Sequence, residues 1–300
     1  MTAPPAYPLK FQAGARTLLS VNRRLIRYTY DLAMALEASP PVLAPLEDAD
    51  GYMLRSLPQS LFGGMDRSNL LMHVRQNYTR YFADFSAGFE AYMANFSGKT
   101  RATLKRKVKR FCDDAAGQSE ARMYRTREEI VEFARLAIPL SQNSYQHRLL
   151  GAGLPADAAS QNEMHTLAAA DQLRAFLLFK KGRPVAYLYL PVTAGTLIYA
   201  YLGYDPAEAK LSPGTVLQLE AIRLLTEEGR YTVLDFTEGD GEHKRLFATG
   251  GIACGDVLML RSTLANRLLL GGLRSFDAMM VGAKALSGMP GFAWLRSLRR

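Results

Sequence analysis

Residues 173–202 contain three apolar runs separated by two short turns, a pattern that commits the chain to adjacent antiparallel strands. The runs 173–179, 185–192 and 196–202 are rich in Leu, Val, Phe and Tyr. Between them stand Lys180-Lys-Gly-Arg-Pro and Thr193-Ala-Gly-Thr, whose Gly and Pro residues suit tight turns. A helix over 212–229 follows, with Ser212 as N-cap, Pro213 in the first turn and Gly229 as C-cap. Val216, Leu217, Leu219, Ile222, Leu224 and Leu225 supply its apolar side. A strand over 232–236, a short helix over 242–247 and a last strand over 257–260 complete a β-β-β-α-β-α-β order. That order specifies an α/β (α+β) fold, a central mixed and mostly antiparallel sheet flanked by helices.

The region before it reads as mainly helical over 86–150. Tyr92, Phe96, Leu104, Val108 and Phe111 share one face at helical spacing. A short strand is expected over 121–125. Thr126-Arg-Glu-Glu then reads as a capping box that opens a helix toward Leu140. The segment 141–155 reads as a loop carrying Ser144, Tyr145, Gln146 and His147. In the first 80 residues a helix is expected over 18–37, then a Pro-rich break and a strand over 78–85. Residues 261–300 read as basic amphipathic helices. Leu264, Leu268, Leu273, Met280, Phe292, Trp294 and Leu295 are assigned to one face, which either packs on the core or lies on an anionic membrane. The domain expectation is 1–85, 86–260 and 261–300.

Charge is unevenly placed. The chain carries a net +9, yet residues 99–110 hold Lys99, Arg101, Lys105, Arg106, Lys107, Lys109 and Arg110 with no acid. Residues 261–300 are the second basic patch, and the rest is net acidic. Such patches attract phosphorylated cofactors, acidic carriers, anionic lipid or nucleic acid. Residues 99–110 lack interleaved aromatic residues, which argues against nucleic-acid readout. Cys112 and Cys254 form no metal or redox motif, and no apolar run reaches the length of a membrane span. These features point to the cytoplasm, with a peripheral position on the inner membrane as the membrane reading of 261–300.

The corner Lys210-Leu-Ser-Pro-Gly-Thr215 opens a helix, and a helix N-terminus offers free N–H groups and partial positive charge to a phosphate. Tyr201-Leu-Gly-Tyr-Asp-Pro, Leu211-Ser-Pro-Gly, Asp235-Phe and Gly239-Asp…Lys244, in this order, resemble the GNAT acyltransferase superfamily, most of all its CelD-like and FemAB-like branch, over about residues 95–260. The resemblance departs from simple GNAT proteins at the phosphate loop, which has one glycine here. The N-terminal part is short for a second whole GNAT fold and is expected to be a degenerate half-domain.

The resemblance implies an N-acyltransferase that uses acyl-CoA or an acyl carrier protein thioester, without metal, on a primary amine. The amine attacks the thioester directly, which needs a base, an oxyanion donor and a proton for the thiolate. Asp235, at the end of a buried strand where desolvation raises a carboxyl pKa, and His243 are the candidate bases. Lys244 resembles the lysine that this branch places near the acyl carbonyl, and Tyr201 is a proton donor. Tyr199 and Leu202 supply backbone contacts to the donor, and Lys210, Ser212, Gly214 and Thr215 hold phosphate. Tyr145, Gln146, His147, Tyr187 and Asp240 are assigned to the acceptor. The expected acceptor is an amine of a lipid or envelope precursor, such as a sphingoid base or amino sugar. The alternatives are a FemAB-like aminoacyl-tRNA-dependent transferase and a non-catalytic GNAT-fold module in polysaccharide export.

Overall fold

The computed structural model describes residues 5–13, 16–143, 153–239 and 241–287. Two compact units divide the chain: 79–251 is one, and 1–78 with 252–300 is the other. In the discontinuous unit β1 (Ala6–Ala13) pairs antiparallel with β2 (Arg16–Thr29), and β2 runs parallel to β3 (Gly51–Pro58). On its other edge β3 meets the last strand, β11 (Gly250–Arg261), antiparallel.

The expected helix over 18–37 is a strand followed by a short helix, α1 (Leu32–Glu37). Leu and Arg tolerate either state, but Val21, Ile26, Tyr28 and Thr29 favour a pleated surface, and partners on both sides decide for β2. Asp31 marks the change by accepting the Met34 N–H at 2.8 Å.

The C-terminal helix α8 (Leu264–Ser287) corrects a face assignment. It buries Asn266, Leu270 and Leu273, and the two leucines pack with Leu9, Leu25, Met53, Leu258 and Leu260. Leu264 and Leu268 are 75% and 70% exposed. Position 273 lies about half a turn around the helix from 264, so these residues never shared a face. Phe292, Trp294 and Leu295 lie outside the described residues.

The continuous unit takes in the end of β4 (Leu70–Asp84), β5 (Ser119–Tyr124), β6 (Leu173–Lys180), β7 (Arg183–Thr193), β8 (Thr196–Ile198), β9 (Tyr201–Tyr204) and β10 (Val233–Asp235). Pairing runs β4-β10-β8-β7-β6-β5, with β9 also on β7. Only β8–β10 is parallel among these pairs. The helices are α2 (Phe89–Ala94), α3 (Gly98–Asp114), α4 (Arg127–Asn143), α5 (Ala158–Ala169), α6 (Pro213–Glu228) and α7 (Glu242–Phe247). This is a mixed α/β fold with a mostly antiparallel sheet flanked by helices.

Helices cover both faces, which explains the near-continuous apolar runs of β6 and β7. Phe176, Leu188 and Leu190 pack with Leu104 and Phe111 of α3 and with Leu217, Ile222 and Leu225 of α6. Ala175, Leu177, Tyr187 and Tyr189 face Ile130, Phe133 and Ala137 of α4 and Met164 and Ala168 of α5. The capping box forms: Glu129 accepts the Thr126 N–H at 2.9 Å, and Thr126 Oγ1 accepts the Glu129 N–H at 3.3 Å.

Candidate functional site

The run expected as one strand over 196–202 is two strands, and the break builds a cleft. Four residue steps separate Leu197 from Tyr201, while three separate their β7 partners Val192 and Tyr189. The strand thus carries one extra residue, a bulge, and the chain changes partners across it. Before the bulge β8 lies against β10, and the Tyr199 N–H still donates to the Asp235 carbonyl at 2.9 Å. After it β9 holds only to β7, while Phe236 turns its N–H to Tyr81 at 3.0 Å on the β4 side. β9 and β10 splay apart.

The splay frees one edge of β9. Asp205 N–H donates to the Val185 carbonyl at 2.9 Å, which makes them a bonded pair. The antiparallel ladder alternates from there, so the N–H and C=O groups of Leu202 and Tyr204 point away from β7. Gly203 keeps β9 on the sheet, because a Cβ there would lie 2.4 Å from the Tyr187 ring.

A cleft of about 490 Å³ fills the splay. Tyr199, Ala200, Tyr201, Leu202 and Tyr204 form one wall, Ser212, Gly214, Thr215 and Gln218 another, and His243 with Phe247 a third. Ser212 stands at the N-cap as the sequence suggests, but in a left-handed conformation (φ 53°) and without a side-chain capping bond. Its carbonyl accepts from Thr215 and Val216 instead. Pro213 has no N–H and those of Thr215 and Val216 are taken by Ser212, so the Gly214 N–H is the first-turn donor left for the cleft. A Cβ on Gly214 would lie 3.0 Å from Leu202 Cδ2, so glycine lets the helix start close on β9. Lys107 of α3 reaches Thr215 Oγ1 at 3.5 Å, adding a cation to this corner. Lys210 is exposed and does not line the cleft.

His243 packs its ring on Tyr199 with centroids 5.8 Å apart. His243 is exposed on its outer side, but desolvation of the ring where it packs on Tyr199 pushes its pKa below the ordinary value, and the neighbouring Lys244 cation adds to this. The imidazole is therefore neutral near pH 7 and able to accept a proton. A Cβ on Gly241 would meet the His243 ring at 2.8 Å, so glycine makes room for it. Burial raises the Tyr199 phenol pKa, with a smaller contribution from Tyr187.

The other predicted residues are placed elsewhere. Asp235 is fully buried and held by Arg80, whose Nη2 donates at 2.5 Å and Nε at 3.2 Å, and by the Thr237 N–H at 2.8 Å. The carboxylate pins β10 to β4 and does not line the cleft. Lys244 Nζ donates to the Glu238 carbonyl at 2.5 Å. Tyr187 is buried and donates its hydroxyl to Ser141 Oγ at 2.9 Å. Tyr145, Gln146, His147 and Asp240 lie outside the described residues. Lys107 and Gln218 were missed, and the only signal for Gln218 was a polar residue inside an apolar helix face.

No cluster of His, Cys, Asp and Glu suited to a metal occurs among the described residues, and no described helix is long and apolar enough to cross a membrane.

Residues 98–245 match the family of GNAT acetyltransferase domains. No curated protein matches the chain. Among solved structures, a conserved protein of unknown function from Bacteroides thetaiotaomicron is similar with a TM-score of 0.54 at 16% identity, over 84% of this chain and 81% of that one. The C-terminal domain of a putative lysylphosphatidylglycerol synthetase from Agrobacterium fabrum gives 0.51 at 13% identity, over 78% and 73%. FemX gives 0.51 at 11% identity, over 85% and 87%. At these identities the likeness is one of fold. The splayed strands, the helix start beside them and the domain match agree: residues 98–245 carry a GNAT acyltransferase domain.

Proposed function

We propose that the protein transfers an acyl group from a pantetheine thioester, on CoA or an acyl carrier protein, to a primary amine, and that residues 86–260 carry the chemistry. The observation that supports this best is a neutral imidazole, His243, facing a cleft between an open strand edge and a helix start. In this reading the first turn of α6 and Lys107 hold phosphate. His243 takes a proton from the incoming ammonium group, and the amine nitrogen bonds to the thioester carbon. The Leu202 N–H stabilises the oxyanion, the C–S bond breaks, Tyr201 gives the thiolate its proton, and the second proton of the new amide nitrogen passes back to the Tyr201 phenolate.

Calorimetry with acetyl-CoA tests the donor side, with loss of binding expected for Gly214→Asp. Absence of binding by the unaltered protein removes the proposal. His243→Ala is expected to lower kcat about 10²–10⁴-fold, as loss of a positioned base does.

The acceptor we propose is a lipid or envelope amine, such as a sphingoid base or amino sugar, reached at a membrane surface. The exposed Leu264 and Leu268, with Arg267 between them, support this. Flotation with anionic vesicles is expected, and a Leu264→Ser/Leu268→Ser double variant is expected to lose it. A second reading, a FemAB-like aminoacyl-tRNA-dependent transferase, draws support from the basic α3 and the fold likeness to FemX. Salt-sensitive tRNA binding in place of acetyl-CoA binding would select it.

A further inference from the structure

Gln218 lines the cleft one turn into α6 from Gly214, at 2% exposure, and its Nε2 has no hydrogen-bond partner among the described residues. Buried amide donors are almost always paired, because an unmet one has exchanged its water for nothing. The helix does not need a polar group here. Leu217 and Leu219 on either side are buried, and Leu or Met serves a helix as well as Gln. The missing acceptor is therefore sought in what enters the cleft.

Three features narrow its chemistry. Gly214, Thr215 and Gln218 lie on one stripe of α6, so Gln218 follows the Gly214 N–H by about one helical turn, ~5.4 Å of rise. The amide torsion of Gln is soft and roughly two-fold, so its donor can turn to the cleft at small cost. The facing wall is the open edge of β9, where Leu202 offers both N–H and C=O. An extended arm with secondary amides is bonded by both walls. A hydrocarbon chain satisfies neither. The pantetheine arm carries two such amides between its phosphate and its sulfur.

We infer that Gln218 is a positioning residue whose Nε2 donates to the amide carbonyl nearest the phosphate end of a pantetheine arm. This rests on the acyl-transfer reading above. The amide aligns the arm and takes no part in bond making.

Calorimetry on the full chain tests it with two ligands: acetyl-CoA, and the adenosine bisphosphate half of CoA without the arm. Gln218→Met and the acceptor-only Gln218→Glu are expected to weaken acetyl-CoA binding about tenfold, the worth of one lost hydrogen bond. Both are expected to bind the arm-less nucleotide unchanged. Gln218→Met is expected to melt no lower than the unaltered protein when unliganded, since it removes an unmet donor. Unchanged acetyl-CoA binding in Gln218→Met overturns this inference alone. Equal weakening for both ligands, or lowered melting in both variants, also overturns it and marks a structural role. If the unaltered protein binds no acetyl-CoA, the acyl-transfer reading fails first and this inference fails with it.

Discussion

Asp235, His243 and Lys244 lie within ten residues of one another, yet their surroundings give them different tasks. Asp235 is enclosed by Arg80 and a backbone N–H. Arg80→Met leaves a buried carboxylate without its cation and is expected to cost about 3–5 kcal/mol, measured by urea unfolding. His243 has one side open and the other on Tyr199, and its pKa is lowered by burial and then by Lys244. A base with a lowered pKa stays competent into mildly acidic solution. The acid limb of kcat/KM is thus expected below about pH 6.5, the ordinary histidine value. Lys244→Gln removes the second cause and is expected to move that limb to higher pH. The stability linkage has a definite sign. Between the folded and ordinary values the unfolded chain binds the proton more readily. Stability from His243 is complete above the ordinary value and is lost as pH falls through that window.

At the scale of elements, the bulge between β8 and β9 matters more than any strand length. It turns one sheet edge into a wall with unmet backbone groups, and Gly203 and Gly214 allow Tyr187 and Leu202 to close on it. Gly203→Ala drives a methyl group into the Tyr187 ring. The expected cost is about 1–3 kcal/mol in unfolding free energy, with weaker acetyl-CoA binding because β9 is displaced. The strand was legible at 196–202 because its composition is β-favouring. Its break was not, since nothing in Tyr199-Ala200 says that one half pairs with β10 and the other with β7 alone. The capping box at Thr126 was legible, because both its hydrogen bonds lie within four residues. Glu129→Ala is expected to cost about 1 kcal/mol, read as a lower urea midpoint.

At the scale of the whole molecule, residues from both ends of the chain build one unit, and α8 contributes Leu270 and Leu273 to its core. Leu273→Ala is expected to cost about 2–5 kcal/mol by cavity formation, measured by urea unfolding, whereas Leu268→Ser on the exposed face is expected to be nearly neutral. The sequence by itself determined what short-range physics controls: the order of strands and helices over 173–260, the start and stop of α6, the basic face of α3 and a match to GNAT motifs. Hydrophobic period, turn residues and caps act over a few residues and leave a direct trace. Tertiary structure alone decided which carboxylate is tied to Arg80, which histidine faces the cleft, where Lys107 reaches and why Gln218 lacks a partner. Each of these depends on groups brought together across tens to hundreds of residues, and no local pattern records such a meeting.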